Sequence, residues 1–119
     1  MDDILIIEDE ERVSKELNFI FSDGRLLIDY DKRLVQVNEN QVAFTPNEFD
    51  ILHILILKRG NVLSREQLTN KVFGIDFDGY DRNIDVYIKN IRKKIEEDRR
   101  NPKYIITVTK VGYKFGGEN

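Results

Sequence analysis

Residues 81–95 read DRNIDVYIKNIRKKI, and the spacing of the isoleucines decides what this stretch becomes. At about 100° per residue, Ile84, Ile88, Ile91 and Ile95 fall within a stripe about 60° wide, while Arg82, Val86, Lys89 and Lys93 centre on the opposite side. An amphipathic helix is predicted, with one face to pack and one basic face. Arg82, Lys89, Arg92, Lys93 and Lys94 are opposed within the stretch only by Asp81 and Asp85. A solvated helix laced with balanced ion pairs does not account for that excess, so an anionic partner is expected.

The whole chain hides this surplus. Its 119 residues carry a formal charge of −3 and the pI is about 5.2, yet residues 1–50 hold 13 acids and 5 bases, and residues 51–119 hold 9 acids and 14 bases. The two halves face different partners. The length and a hydrophobic content of 40% suffice for a real core. With no cysteine and a single histidine, His53, neither a disulfide framework nor a Cys- or His-rich metal site is available, and a reducing cytoplasm is the expected location. The apolar run Ile4–Leu5–Ile6–Ile7 is too short for a membrane span or a signal peptide, so no membrane partner is expected. No activated nucleophile pair or phosphate-cradling glycine loop is present, and His53 is expected to be buried in packing. No catalytic residue, cofactor or metal is therefore assigned.

Upstream of the basic helix, SREQ at 64–67 and TPNE at 45–48 both have the form of a capping box, with Pro46 suited to a first helical position. The first opens a short helix carrying Leu68, Val72 and Phe73 and stopping at Gly74. The second opens a helix from 46 to about 59, closed by Gly60, whose run FDILHILIL is apolar nearly all round and belongs at the centre of the core. Upstream, LLIDYDKRLVQVNENQVAF offers three strand-like runs broken at Tyr30–Asp31–Lys32 and Asn38–Glu39–Asn40, an antiparallel meander. Downstream, Asn101–Pro102 is expected to break the basic helix. YIITVT and GYKF then form a hairpin turning at Lys110 and Val111, with Gly112 as the residue for a left-handed backbone position.

This order is that of a winged helix-turn-helix, in which the third helix enters the major groove. The fold class is thus α+β, with an N-terminal antiparallel sheet, a three-helix core and a C-terminal hairpin wing. TPNEFDIL, GNVLSREQL, DRNIDVYIKNIRKKIE and YIITVTKVGYKF, in sequence across residues 21–116, resemble the DNA-binding effector domain of OmpR/PhoB-type response regulators. The resemblance implies that the helix from Arg82 is the recognition helix, that the hairpin is the wing, and that the loop holding Asp76, Phe77, Asp78, Gly79 and Tyr80 meets RNA polymerase. Where the family's wing usually carries Arg-Gly, this chain has Thr109–Lys110, and Lys110 is left to act from the hairpin tip.

Side-chain chemistry points the same way. Arg82, Lys89 and Lys93 can reach phosphates, Asn83 and Asn90 match an adenine edge, and Val86 or Tyr87 can touch a thymine methyl. Arg92 lies nearer the packed face and suits either a phosphate or a structural ion pair, and Tyr87 suits either DNA or the edge of the core. Thr107, Thr109 and Lys110 complete the expected DNA-binding set from the wing.

Residues 1–20 form the other expected domain, beside the winged helix at 21–119. MDDILIIEDEERVSKEL resembles the first strand and helix of a receiver domain, with Glu8 and Asp9 at its acidic pair, but the phosphoacceptor and its helpers do not follow. These acids are read as a helix N-terminal charge cluster rather than metal ligands. DFDG at 76–79 likewise lacks the glycine and glutamate spacing of a calcium loop and reads as a surface loop. Residues 4–7 are expected to pair with a second chain or with an effector-domain edge, giving a homodimer in the first case. Residues 9–21 are expected to form a helix packed through Val13, Leu17 and Phe21.

The functional expectation is a sequence-selective, double-stranded-DNA-binding transcription regulator without its own phosphorylation switch. The alternative is an interaction module that binds RNA polymerase or an intact regulator and binds DNA weakly.

Overall fold

The computed structural model describes residues 20–74 and 82–116, and the chain divides into two compact units, residues 1–43 and 44–119. The receiver-like segment, with Ile4, Glu8, Asp9, Val13 and Leu17, and the expected polymerase loop at 76–80 lie outside the described residues.

The first unit is an antiparallel meander in the order β1-β2-β3-β4, with β1 at Ile20–Ser22, β2 at Leu26–Asp29, β3 at Leu34–Val37 and β4 at Asn40–Gln41. β2 and β3 match two of the runs read from sequence, whereas β4 takes in Asn40, expected in the break, and stops at Gln41, short of the rest of the third run. The fourth, β1, corrects the expectation of a helix reaching Phe21, since Phe21 pairs in register with Ile28. Turn chemistry sets the connections. The Asp23 carboxylate accepts from the backbone N–H groups of Arg25 and Leu26, and Asn38 and Glu39 both take positive φ, 52° and 71°, in the two-residue loop between Val37 and Asn40. Positive φ at both positions matches the right-handed twist of the flanking strands. Leu26, Ile28 and Val35 are buried, as the alternation of β2 and β3 requires.

In the second unit α1 spans Pro46–Leu57, α2 Arg65–Phe73 and α3 Arg82–Ile95, and β5 at Ile105–Val108 pairs with β6 at Gly112–Phe115. Both capping boxes form: Thr45 and Ser64 accept from the N–H groups of Glu48 and Gln67, whose side chains accept from the cap N–H in return. α1 buries Phe49, Ile51, Leu52, Leu55 and Ile56, but Leu57 stays exposed. His53 is half-buried and stacks on Phe49, rather than fully enclosed. The helix stops at Leu57, two residues before the expected end, with Lys58 as its cap and Gly60 at φ 89° in the following turn.

α3 buries all four isoleucines of the stripe, each at most 1% exposed. Its end corrects the sequence reading: Asn101–Pro102 does not terminate it, because the helix has already stopped at Ile95. The next residue, Glu96, is buried, and its carboxylate accepts from the backbone N–H groups of Lys103, Tyr104 and Ile105. Satisfying three donors with one carboxylate fixes where the chain leaves α3 and enters β5.

The wing is joined to the helices by its backbone. Leu63, just before α2, exchanges both main-chain hydrogen bonds with Tyr113 of β6, at 2.8 and 2.9 Å. Here lies the reason for Gly112, which differs from the expected one: a Cβ on it would sit 2.0 Å from the Leu63 carbonyl oxygen. The left-handed position of the wing turn belongs to Lys110, at φ 67°.

Candidate nucleic-acid interface

The isoleucine stripe rotates α3 so that its opposite face is open. Val86 is 57% exposed, Lys89 and Lys93 are exposed, and Asn90 is half-buried. Neither lysine has an ion-pair partner among the described residues. The backbones of Arg82 and Asn83 are helical, while their side chains lie outside the described set. An exposed apolar group among amines and an amide is suited to a groove edge, where methyl contacts, amide contacts and phosphate contacts are all needed together.

The other α3 candidates are held inside the domain. Tyr87 is half-buried; its hydroxyl accepts from the Asn47 side chain at 3.1 Å and its ring lies 5.9 Å from that of Phe73. It bridges the start of α1 and the end of α2. Arg92 donates through Nη2 to the Ile105 carbonyl and to Thr107 Oγ1, both at 2.8 Å, and through Nε to the same carbonyl. Of the two roles left open for Arg92, the geometry supplies a structural one, though toward a carbonyl and a hydroxyl rather than an acid. Lys94 pairs with Glu48 at 2.5 Å, and the Glu48 side chain is 6% exposed.

At the wing Thr107, Thr109 and Lys110 are exposed, joined by Val111 at 52% exposure. The structure brings them into one hairpin with Thr107 tied to α3 through Arg92.

A cluster that the sequence reading missed joins these parts. One oxygen of Asp85, Oδ1, accepts from Arg65 Nε at 2.7 Å and from the Tyr113 hydroxyl. Arg65 and Arg92 both place their guanidinium carbons near the Tyr113 ring, 5.4 and 5.6 Å from its centre. The hydrogen bond to Asp85 raises the pKa of Arg65. Burial, followed by the bond to Asp85, raises that of Tyr113. SREQ located Arg65 at the start of a helix, but no local pattern linked it to residues on the next helix and the wing. Among the described residues no group of carboxylates and histidines could hold a metal, and no helix is long and apolar enough to cross a membrane.

Comparison with known proteins places this geometry. The family described as "Transcriptional regulatory protein, C terminal" matches residues 39–115. Sensory transduction protein RegX3 of Mycolicibacterium smegmatis is 39% identical over 94 residues, covering 79% of this chain and 41% of that protein. Response regulator DrrB of Thermotoga maritima, described as an OmpR/PhoB homologue, superposes with a TM-score of 0.81 at 32% identity, over 91% of this chain and 49% of that one. The DNA-binding domain of Klebsiella pneumoniae RstA, solved in complex with the RstA box, gives a TM-score of 0.72 at 35% identity, over 81% of this chain and 95% of that one. This chain spans less than half the length of the curated relatives it matches. With three helices, a wing and an open basic face on the third helix, the chain belongs to the transcriptional regulatory C-terminal family, the winged-helix DNA-binding domain of OmpR/PhoB-type response regulators.

Proposed function

We propose that the chain regulates transcription by selecting a DNA sequence, with the open face of α3 in the major groove and the wing on the adjoining backbone. One observation carries this reading: Val86, Lys89 and Lys93 stand exposed opposite four buried isoleucines. In it, Lys89, Lys93 and Arg82 contact phosphates, Asn90 and Asn83 read base edges, and Val86 meets a thymine methyl. Thr107, Thr109 and Lys110 contact the backbone from the wing, while Tyr87 and Arg92 hold α3 in place.

Regulation in this reading does not use a phosphoacceptor within residues 1–119, because the acidic pair Glu8–Asp9 is not followed there by the other receiver groups. Addition of a phosphodonor such as acetyl phosphate is expected to leave DNA affinity unchanged. RNA polymerase, met through residues 76–80, is the second partner, and the cytoplasm the expected location.

Selection of bound sequences from a random DNA pool, followed by gel shift across a salt series, tests the proposal. A recovered consensus and a steep loss of affinity with salt support it, since each phosphate contact contributes a slope of about −0.9. A flat salt response with no consensus would favour the reading as a polymerase- or regulator-binding module.

A further inference from the structure

The open face of α3 carries two chemistries side by side. Lys89 and Lys93 centre on it, whereas Val86 and Asn90 share one flank: at about 100° per residue they stand about 40° apart, one turn along the axis. Val86 is 57% exposed. Asn90 is half-buried, and its amide makes no side-chain hydrogen bond among the described residues. Such an amide keeps a donor and an acceptor for something outside the domain. Guanine is commonly read by the fork of an arginine. Arg92, the one α3 arginine whose side chain is described, bonds the Ile105 carbonyl and Thr107 through Nη2 and the same carbonyl through Nε. Both two-pronged faces of a guanidinium include Nη2, so neither is left for a base edge.

An amide matches adenine and mismatches guanine. Its NH2 group can donate to N7 of either purine, but its oxygen accepts from the adenine N6 amino group and meets another acceptor at guanine O6. We propose that Asn90 makes α3 select an A·T pair, with a thymine methyl under Val86 within about two base-pair steps, and that N6-methylation of that adenine blocks binding. The inference rests on the reading of α3 as the DNA-facing helix and adds which base it takes and how a modification of that base controls it. The spacing follows from the helix, in which four residues advance about 6 Å against about 3.4 Å per base pair. Sensitivity to methylation follows from base pairing: one N6 hydrogen is used by thymine, and the other is the one that faces the groove. A methyl group there removes the donor that Asn90 needs and fills the space of its oxygen.

The experiment resynthesises a site selected from a random DNA pool with 7-deazaadenine or N6-methyladenine at each adenine in turn, and with uracil at each thymine, and measures binding by gel shift. At one adenine both analogues are expected to weaken the wild-type protein about tenfold, and Asn90→Ala by less than about twofold. Within about two steps of it, one uracil is expected to weaken wild type about threefold and Val86→Ala less than about 1.5-fold. Asn90→Arg, which offers a fork in place of an amide, should move the preference at that pair to G·C. A merely structural Asn90 would lower affinity without changing the preferred base. The proposal is overturned if no adenine responds to both analogues, if the responsive adenine stays equally responsive in Asn90→Ala, or if Asn90→Arg keeps the A·T preference there. Neutralising Lys89 and Lys93 separates the two readings. If that leaves affinity unchanged, the α3 interface itself is wrong; if it weakens binding normally while no adenine depends on Asn90, only the base assignment falls.

Discussion

Arg92 and Lys94 flank the isoleucine stripe of α3, Lys89 and Lys93 stand on its open side, and a positive charge does different work in the two places. Arg92 ties α3 to β5 through the Ile105 carbonyl and Thr107, and Lys94 answers the buried Glu48 carboxylate that also caps α1. Lys89 and Lys93 have no ion-pair partner among the described residues. A tally of cations along residues 81–95 therefore overstates the charge available to DNA, because part of it is neutralised or satisfied internally. What distinguishes the two pairs is angle around the helix, since all four residues lie within two turns of it.

The sharpest way to separate the faces is to damage each and read stability and DNA affinity in parallel. Ile91→Ala opens a cavity under α3 and is expected to cost about 2–5 kcal/mol in denaturant unfolding, with DNA affinity lost only as the fold is lost. Lys94→Ala strands Glu48 with its capping bond alone. A destabilisation of about 1–3 kcal/mol should follow, most of which Lys94→Ala with Glu48→Gln recovers in a double-mutant cycle. Asn90→Ala should change stability little but alter base preference at one position by about 1–3 kcal/mol, visible when binding to single-base variants of the selected site is compared. Lys89→Ala with Lys93→Ala should shift stability by no more than about 0.5 kcal/mol. It should also flatten the salt dependence of binding by about 0.9 for each phosphate that is no longer neutralised. A stability loss from the lysine pair as large as that from Lys94→Ala would erase the distinction between the faces.

The legible parts of this molecule were those written in neighbouring residues. TPNE and SREQ each contain both members of a capping box, and the isoleucine period fixes the buried face of α3 and so, by elimination, the exposure of Val86, Lys89 and Lys93. The illegible parts depend on partners far along the chain. Glu96 ends α3 by collecting N–H groups from Lys103, Tyr104 and Ile105, and no rule of helix termination reads that from Asn101–Pro102. Tyr87 suits either DNA or the edge of the core by its position in α3, and its bond from Asn47, 40 residues away, has no signal in the local sequence. The Asp85 cluster joins residues on two helices and a strand, and each looks ordinary in its own segment. Phe21 continued an apolar spacing that suits a helix, but pairing with Ile28 supplies a strand with backbone partners.

The bond pair between Leu63 and Tyr113 also determines how the domain can open. A wing attached only by its own hairpin would exchange its amide hydrogens by fraying, independently of the helices. Here opening at β6 must break the Leu63 pair, and Leu63 precedes the Ser64 cap whose side chain holds the Gln67 N–H. The amides of Leu63, Tyr113 and Gln67 should therefore exchange with a common opening free energy, as a single cooperative unit. The wing then behaves as the outer edge of the α2 entrance, so whatever holds it on a DNA backbone also slows the unwinding of α2.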